Sequence, residues 1–442
     1  MNKNVLIITY YWPPASGPGV QRVLKFTKYL SKIGWKPVIL TVQNGEYPAT
    51  DPSLLNEIPA GIPVYKTKIF EPTVFYKKIA GLPQHQPIPV AVLSEESKGL
   101  GKKIGNWIRA NIFIPDAKVG LALSRLHFAA QIIQEHNIGI IFSSSPPPSV
   151  HLLASRIARK FQLPWVADFR DPWTNIHYYQ HVHRCGLSKK IDEKLETSVL
   201  NKASAITSVS KSDLENDFKS KRHNKQNMFY LPNGFDPEDF SEILEQKMDF
   251  PSKFVLTHIG IIGKERIPYR FIEFLGEKIL ENPEVKQSLE LRFIGKISDE
   301  MVDLLKDADL WNNTQYPGYL SHKEAIRQSM ESYALLLLIT NVKGNEGIVP
   351  GKVFEYMAYR KPIISFGHPE GEVSQILQAY QNQGCFDYNL PYESFNTYFD
   401  KLFHAWQNKK PFNPDISVLQ RYSREHLTGE LISIFNSLLH AQ

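Results

Sequence analysis

Residues 344–365 combine a cation, a carboxylate and glycines in a pattern that could bind a phosphorylated ligand. The apolar run at 334–340 predicts a buried strand, and Pro350 is well placed to open the helix that follows. The free N–H groups at the start of such a helix favour an anion. Lys352 and Glu355 share one helix face, because they lie three residues apart. A cation for a diphosphate and a carboxylate for ribose hydroxyls would suit a nucleotide-sugar; a solvated Lys–Glu pair is the alternative.

A second glycine-rich turn follows the predicted strand at 254–260. Gly260 and Gly263 would let the backbone approach a ligand closely, and Lys264 and Arg266 would supply fixed cations. This combination also suits a diphosphate. Solvated surface charge would explain the two basic side chains without any ligand.

Two further glycines, Gly17 and Gly19, follow the first predicted strand at 4–10. They allow a tight turn, and the helix from about Val20 would direct its N-terminus at the same edge of the sheet. A nicotinamide or flavin enzyme is disfavoured. Arg22 stands where the dinucleotide fingerprint has its third glycine, and the second strand ends without an acidic residue for a ribose.

Charged side chains also close the predicted strand at 164–169. Asp168, Arg170 and Asp171 could hold sugar hydroxyls or an acceptor there, and a structural ion cluster is the alternative. His151 lies among apolar residues of a predicted helix, a setting more typical of a packed side chain than of a catalytic one. The sequence reveals neither a Ser/His/Asp set nor a His/Cys metal cluster.

The composition predicts a globular protein of two domains. The 442 residues are 42% hydrophobic and 22% charged, and a net charge of +6 is compatible with an anionic ligand or lipid surface but too small to argue for nucleic acid. Cys185 and Cys385 offer neither a disulfide framework nor metal-ligand spacing. We expect a reducing, cytoplasmic location, because the sequence has no signal-peptide pattern and no apolar run of about 18–20 residues.

Short apolar runs alternate with helical patterns, which predicts an α/β protein with parallel sheets covered on both faces. The alternation breaks at 231–240, where Pro, Asn and Gly accumulate, and then restarts. The predicted domains are 1–235 and 236–414, with the ligand site between them, and a C-terminal helix lies within 415–442. An insertion at 70–118 interrupts the first domain.

Within this insertion, residues 99–112 form the pattern of an amphipathic helix. Lys102, Lys103 and Arg109 lie on its polar side. The apolar face consists of Leu100, Ile104, Trp107, Ile108 and Ile112. This pattern is typical of a helix that contacts an anionic membrane surface, and packing on its own domain is the alternative.

Five segments, in order, resemble the family-4 glycosyltransferases with the GT-B fold over essentially the whole chain. They are ITYYWPPASGPGVQR (8–22), VADFRDPW (166–173), YLPNGFD (230–236), HIGIIGKER (258–266) and GIVPGKVFEYMAYRKPII (347–364). The resemblance is to bacterial enzymes that build cell-surface polysaccharides. It implies two Rossmann-like domains whose parallel sheets face a cleft, with a last helix, matched by 415–439, that crosses back to the first domain.

The same resemblance implies a retaining transferase of the hexosyltransferase type. Its donor would be a UDP- or GDP-sugar held by the second domain, and its acceptor a glycan or lipid-linked molecule held by the first. Such enzymes use no further cofactor and, in this family, no metal. A peripheral position on the inner face of the membrane would fit the basic helix predicted at 99–112.

The resemblance also implies roles for individual residues, namely those at positions that match the motifs of the family. Glu355 matches the ribose-binding carboxylate of the family's paired-Glu motif, whereas Gly347 stands where the partner Glu is expected, one residue after Glu346. The basic groups around the diphosphate are matched by Arg266, Lys264 and Lys352. The glycines expected near the donor are Gly17, Gly19, Gly260, Gly263, Gly347 and Gly351. Residues 143–145 are serines where many relatives place a histidine.

The reaction expected from this resemblance needs little from protein bases. Fixed cations and helix N-termini would stabilise the leaving diphosphate before reaction, while its oxygen takes the acceptor proton during same-face attack. Two other functions remain open. A nucleotide-sugar epimerase can share the fold, and a non-catalytic glycosyltransferase-like partner would explain Gly347 and the missing histidine.

Overall fold

The structure is a computed structural model that describes residues 2–47, 49–69, 107–108, 110–122, 126–176, 179, 184–244, 250–389 and 392–441. The chain divides into two compact units. The first unit comprises Met1–Pro232 with Arg424–Gln442, and the second comprises Asn233–Ser423. Each unit contains one parallel sheet.

The sheet of the first unit has seven strands in the order β3-β2-β1-β4-β5-β6-β7. The strands are β1 (Asn4–Ile8), β2 (Lys36–Val42), β3 (Val64–Thr67), β4 (Ile140–Ser145), β5 (Trp165–Phe169), β6 (Ala205–Ser208) and β7 (Met228–Tyr230). All neighbours are parallel, with Ile7 paired to Ile39 on one side and to Phe142 on the other. Nearly all residues of β1, β2, β4, β5 and β6 are buried, because helices cover both faces.

The helices of this unit follow the strands in alternation. They are α1 (Pro18–Lys32), α2 (Leu126–Glu135), α3 (Ser149–Phe161) and α4 (Gly186–Lys202), with a π-helical turn at Asp213–Phe218 and short 3₁₀ turns at Pro52–Glu57, Val119–Leu121 and Lys225–Asn227. Val5 and Ile7 pack on one face of the sheet in the same cluster as α1. Leu6 and Ile8 pack on the other face with α3 and α4. This period of two divides the core into two layers.

The second unit repeats the arrangement with six parallel strands in the order β10-β9-β8-β11-β12-β13. They are β8 (Phe254–Ile259), β9 (Leu289–Ile294), β10 (Thr314–Gly318), β11 (Ala334–Leu338), β12 (Ile363–Phe366) and β13 (Cys385–Phe386). The prediction of an α/β protein with parallel sheets is confirmed in both units.

Nine helices are described in the second unit. They are α5 (Pro237–Leu244), α6 (Tyr269–Glu281), α7 (Pro283–Ser288), α8 (Asp299–Asp307), α9 (His322–Met330), α10 (Lys352–Ala358), α11 (Glu372–Ala379), α12 (Tyr392–Gln407) and α13 (Ile416–Gln420). Short 3₁₀ turns lie at Lys264–Arg266, Trp311–Asn313 and Asn345–Gly347. Val353, Phe354 and Met357 of α10 are buried against β11 and α13, which is the inward face that the sequence predicts.

The final helix, α14 (Arg424–His440), belongs to the first unit rather than the second. Its Leu427, Leu431 and Phe435 are buried beside α1, and the ring of Phe435 lies 5.2 Å from that of Trp35. The crossing of the last helix to the first domain is therefore confirmed. The single helix predicted over 415–439 is wrong in one respect, because α13 and α14 are separate helices.

Most of the predicted insertion and of the amphipathic helix at 99–112 lies outside the described residues. The described remainder includes Trp107 and Ile112, which are 53% and 59% exposed. No helix in the described parts of the chain is long and apolar enough to cross a bilayer.

Candidate functional site

Helix α10 binds both backbone groups of Ile259, the last residue of β8. The Nζ atom of Lys352 donates to the Ile259 carbonyl oxygen at 2.6 Å. The Ile259 N–H in turn donates to the hydroxyl of Tyr356 at 2.8 Å. The carboxyl end of a parallel strand and the start of a helix are thus fixed together, at the edge where α/β proteins bind ligands.

Gly260 follows directly and is needed for steric reasons. Its φ of +136° lies in the region that favours glycine, and its N–H donates to the Ile294 carbonyl at 2.7 Å. A Cβ atom at this position would lie 1.9 Å from Lys352 Nζ. The ammonium group of Lys352 therefore lies directly over the bare backbone of Gly260.

The pKa of Lys352 is lowered to about 8, first because burial disfavours the charged form and also because Arg266 is close; Glu355 opposes the shift. The side chain is still mostly protonated at neutral pH. A partly desolvated cation of this kind interacts more strongly with an incoming anion than a fully hydrated surface lysine does, because the effective dielectric constant around it is lower.

Arg266 is the second cation that the structure brings to this edge. It ends the 3₁₀ turn Lys264–Arg266 and is half-buried. Its Nε donates to Thr340 Oγ1 at 3.1 Å, and its Nη1 donates to the Ile261 carbonyl at 3.4 Å. Since Thr340 follows β11, the guanidinium is held between the ends of two neighbouring strands. Lys264, by contrast, is exposed.

The carboxylates predicted beside these cations take different positions. Glu355 is half-buried on α10, close enough to Lys352 to stabilise its charge. Glu346 is exposed in the 3₁₀ turn Asn345–Gly347 that precedes the helix. Gly351 immediately precedes α10, and a Cβ atom at this position would lie 3.8 Å from Asn233.

In the first unit, Asp168 is part of a buried ion cluster, which is the alternative that the sequence left open. The side chain is fully buried, and both oxygens are occupied by Arg22, at 2.6 Å and 3.0 Å. Hydroxyls of Ser144 and Thr207 also donate to it, each at 2.7 Å. Burial alone would raise the pKa of Asp168, but Arg22 and the two hydroxyls hold it below its usual range.

Arg170 lies at the carboxyl edge of the first sheet, between the end of β4 and the start of α1. It donates through Nε to the Ser145 carbonyl at 2.8 Å and through Nη2 to the Pro146 carbonyl at 2.7 Å. A Cβ atom on Gly19 would lie 1.8 Å from its Nη1. Gly19 is therefore required to make room for Arg170, whereas Gly17 has a φ of +110° and begins α1 in open space.

Asp171 differs from Asp168, because its side chain is exposed. The surrounding protein nevertheless desolvates the carboxyl and raises its pKa to about 6, against the opposing charge of Arg170. The two residues after Pro172 are held by hydrogen bonds to helix α4. Trp173 Nε1 donates to Asp192 at 2.7 Å, and Thr174 Oγ1 donates to Glu196 at 2.6 Å. The sequence analysis missed both α4 carboxylates, since nothing local distinguishes them from surface charge.

His151 is packed, as its sequence setting predicts. It is fully buried, its ring lies 4.5 Å from that of Phe169, and its Nδ1 is 2.8 Å from Ser143 Oγ. Burial lowers its pKa to about 3.

Among the described residues, no group of three His, Cys, Asp or Glu side chains could hold a metal ion. The sequence does contain one Asp-x-Asp, at Asp307 and Asp309, which the sequence analysis overlooked. It lies at the end of α8, where Asp309 pairs with Lys286 at 3.2 Å on the surface.

Comparison with known proteins identifies the fold. No protein-family model and no curated protein sequence matches the chain. A glycosyltransferase from Rickettsia africae matches 99% of this chain and 98% of its own, with 15% identity and a TM-score of 0.59. Anabaena HepE in complex with UDP matches over 98% and 100%, with 12% identity and a TM-score of 0.62. The chain has the GT-B fold.

The same fold occurs in proteins of another activity. A Listeria monocytogenes protein, proposed to be a UDP-N-acetylglucosamine 2-epimerase, matches 100% of this chain and 98% of its own, with 10% identity and a TM-score of 0.56. Identities this low establish the architecture but not the reaction. The reaction has to be argued from the site.

Proposed function

We propose that the protein is a retaining glycosyltransferase of family 4 that transfers a hexose from a nucleotide-sugar to a glycan or lipid-linked acceptor in cell-surface polysaccharide synthesis. The observation that carries this proposal is the pair of cations, Lys352 and Arg266, at the carboxyl edge of the second sheet. Both are fixed by hydrogen bonds at the ends of β8 and β11, and Gly260 leaves room for the Lys352 ammonium.

This arrangement suits the leaving group of glycosyl transfer. As the bond between sugar and phosphate breaks, negative charge grows on the diphosphate and the sugar becomes oxocarbenium-like. Cations already held in place stabilise that charge without reorganising during the reaction. Retention of configuration follows if the acceptor attacks the same face while the phosphate oxygen receives its proton, so no protein base is required.

The donor is proposed to be a UDP- or GDP-sugar. Glu355 would accept the ribose hydroxyls from its half-buried position on α10, one turn from Lys352. HepE was solved with UDP and with UDP-glucose, which supports a uridine donor by analogy. Glu346 is one residue away from the position expected for the second carboxylate of the family motif, and its exposed turn would present it to the sugar.

The acceptor is proposed to bind the first unit near Arg170 and Asp171. The guanidinium is fixed by two carbonyl oxygens, and the exposed carboxylate follows it directly. An exposed aspartate on an anchored loop can accept hydrogen bonds from the hydroxyls of a glycan. No metal enters this mechanism, so we expect activity to be unchanged by EDTA.

The test is release of nucleotide from a panel of UDP- and GDP-sugars, measured with and without a bacterial lipid-linked glycan extract. The expected result is acceptor-stimulated release with one donor, and a product with the anomeric configuration of that donor by NMR. An equilibrium mixture of donor epimers without transfer would instead show an epimerase. Binding of no nucleotide would favour the non-catalytic partner that Gly347 suggests.

We further propose that the protein lies peripherally on the cytoplasmic face of an anionic membrane through 99–112. The exposed Trp107 and Ile112 at the described end of this segment support the contact. The expected result is co-sedimentation with phosphatidylglycerol vesicles at low salt and little with phosphatidylcholine vesicles. Equal recovery of the protein in the supernatant with both would contradict the proposal.

A further inference from the structure

His258 is a buried titratable side chain beside the two cations that the proposed mechanism does not use. It precedes Ile259 in β8 and is only 2% exposed. A buried imidazole usually has partners for both ring nitrogens, since an unsatisfied polar atom costs free energy. Here one of the two nitrogens, Nε2, has no hydrogen-bond partner.

The other nitrogen determines the tautomer. Nδ1 lies 2.8 Å from the carbonyl oxygen of Leu336 in the neighbouring strand β11. A carbonyl oxygen can only accept, so Nδ1 carries the proton. Burial lowers the pKa of His258 to about 3, with Lys352 and Arg266 adding to the shift, so the ring is neutral at physiological pH. Nε2 therefore carries a buried lone pair and no proton.

That nitrogen lies near the ammonium group of Lys352. The position that a Cβ atom on Gly260 would occupy is 3.5 Å from His258 Nε2 and 1.9 Å from Lys352 Nζ. The ammonium has three donors, and one is used on the Ile259 carbonyl. A second donor is therefore available for the unpartnered Nε2.

We propose that His258 is a positioning residue: when a diphosphate binds at this edge, its unprotonated Nε2 accepts a second hydrogen bond from the Lys352 ammonium and, together with the Ile259 carbonyl, holds that group above Gly260. The inference rests on the proposed function, because it assigns this edge to the diphosphate of the donor. A neutral acceptor orients the ammonium better for anion binding than a carboxylate would. A carboxylate would also hold the ammonium, but its negative charge would weaken the attraction between the ammonium and the diphosphate.

The charged groups around Lys352 agree with this role. Glu355, on the same helix, favours the protonated lysine, and Arg266, from the turn after β8, disfavours it. Tyr356 is occupied by the Ile259 N–H. Loss of the Nε2 acceptor should destabilise the protonated form of Lys352. A variant without that acceptor should therefore have a lower Lys352 pKa.

Two substitutions separate this role from simple packing. His258→Asn can still donate to Leu336 from the position of Nδ1 but has no acceptor at the position of Nε2. His258→Gln reaches the position of Nε2 with its amide oxygen. The experiment is titration calorimetry of the full chain with UDP, and separately with inorganic pyrophosphate, from pH 6.5 to 9.5.

In the wild type, we expect the affinity for both probes to fall as the pH rises through about 8, where Lys352 loses its proton. His258→Asn should bind about tenfold more weakly at pH 7.5 and lose affinity at a pH about one unit lower, whereas His258→Gln should resemble the wild type. Equal effects of both variants, with the pH midpoint unchanged, would overturn the inference and leave the proposed function intact. Failure of the wild type to bind either probe would overturn both.

Discussion

In the proposed donor site, the position of one ammonium group decides how the second unit would receive an anion. Lys352 Nζ is bound to the last carbonyl of β8 and lies where any side chain at position 260 would have to be. Arg266 lies across from it and is bound to Thr340. Both charges are held in place by hydrogen bonds to the protein itself, so binding a diphosphate would require little reorganisation.

Arg266 should be the more important cation for turnover. Arg266→Ala is expected to lower the rate of transfer ~10²-fold or more, the usual cost of removing one preorganised donor from a developing anion. Steady-state kinetics with the donor identified in the nucleotide panel would measure it. Arg327→Ala, on α9 and paired at the surface with Glu324, is the matched control and should change little. Near-normal turnover in the first variant would remove Arg266 from the mechanism.

Gly260 should be required for binding as well as for folding. In Gly260→Ala, the new methyl group would collide with Lys352 Nζ and displace it, so the affinity for UDP should fall about tenfold or more. Gly34→Ala provides the control, because Gly34 has a φ of +81° with open space around it and would suffer backbone strain alone. Calorimetry would show the difference; similar UDP affinity in both variants would mean that Lys352 does not bind the ligand.

At the scale of elements, the sequence predicts the helices and strands that depend on residues close together in the chain. The strand at 334–340, the helix opened by Pro350 and its inward face all depend on residues within about two turns of one another, and the structure has them. The ion pair of Arg22 and Asp168 joins residues 146 apart, so no local pattern could assign it. For the same reason the sequence could not distinguish the buried Asp168 from the exposed Asp171, only three residues away.

The interruption of the last predicted helix also has a distant cause. Residues 421–423 contain neither proline nor glycine, so the helical pattern at 415–439 looks continuous. In the structure, Phe235 donates its N–H to the Tyr422 carbonyl at 3.1 Å and forms a parallel bridge with Ser423. This pairing takes the chain out of helical geometry between α13 and α14.

The buried pair makes a prediction about stability. Asp168→Ala would leave the Arg22 guanidinium buried without its counter-charge, so we expect it to cost about 3–5 kcal/mol of unfolding free energy. Asp171→Ala, three residues along the same loop, should not destabilise the protein, because residue 171 is exposed and its ionised carboxyl is disfavoured by the surrounding protein. Urea unfolding followed by tryptophan fluorescence would compare them. A stable Asp168→Ala variant would contradict the structural role given to this residue.

At the scale of the whole molecule, the first unit is completed by the end of the chain. Helix α14 buries Leu427, Leu431 and Phe435 in the same core as α1. A fragment ending near residue 232 would therefore expose an apolar face that the intact chain covers.

Phe435→Ala tests this dependence. The ring is fully buried and lies between Trp35 and Phe142, so its removal should cost about 3–5 kcal/mol of unfolding free energy. Ser433→Ala, on the exposed side of the same helix, is the control and should unfold like the wild type. If both variants had the same unfolding midpoint in urea, α14 would not be part of the first unit's core.

The most direct test of the nucleotide-sugar site is a thermal-shift panel of UDP-, GDP-, ADP-, CMP- and dTDP-sugars with the intact chain. A ligand at about 100 times its dissociation constant stabilises the folded protein by about 2.7 kcal/mol, which moves the midpoint by several degrees. We expect one nucleotide class to raise the midpoint, and Arg266→Ala to abolish that rise. A flat panel with a well-folded wild-type protein would contradict the account.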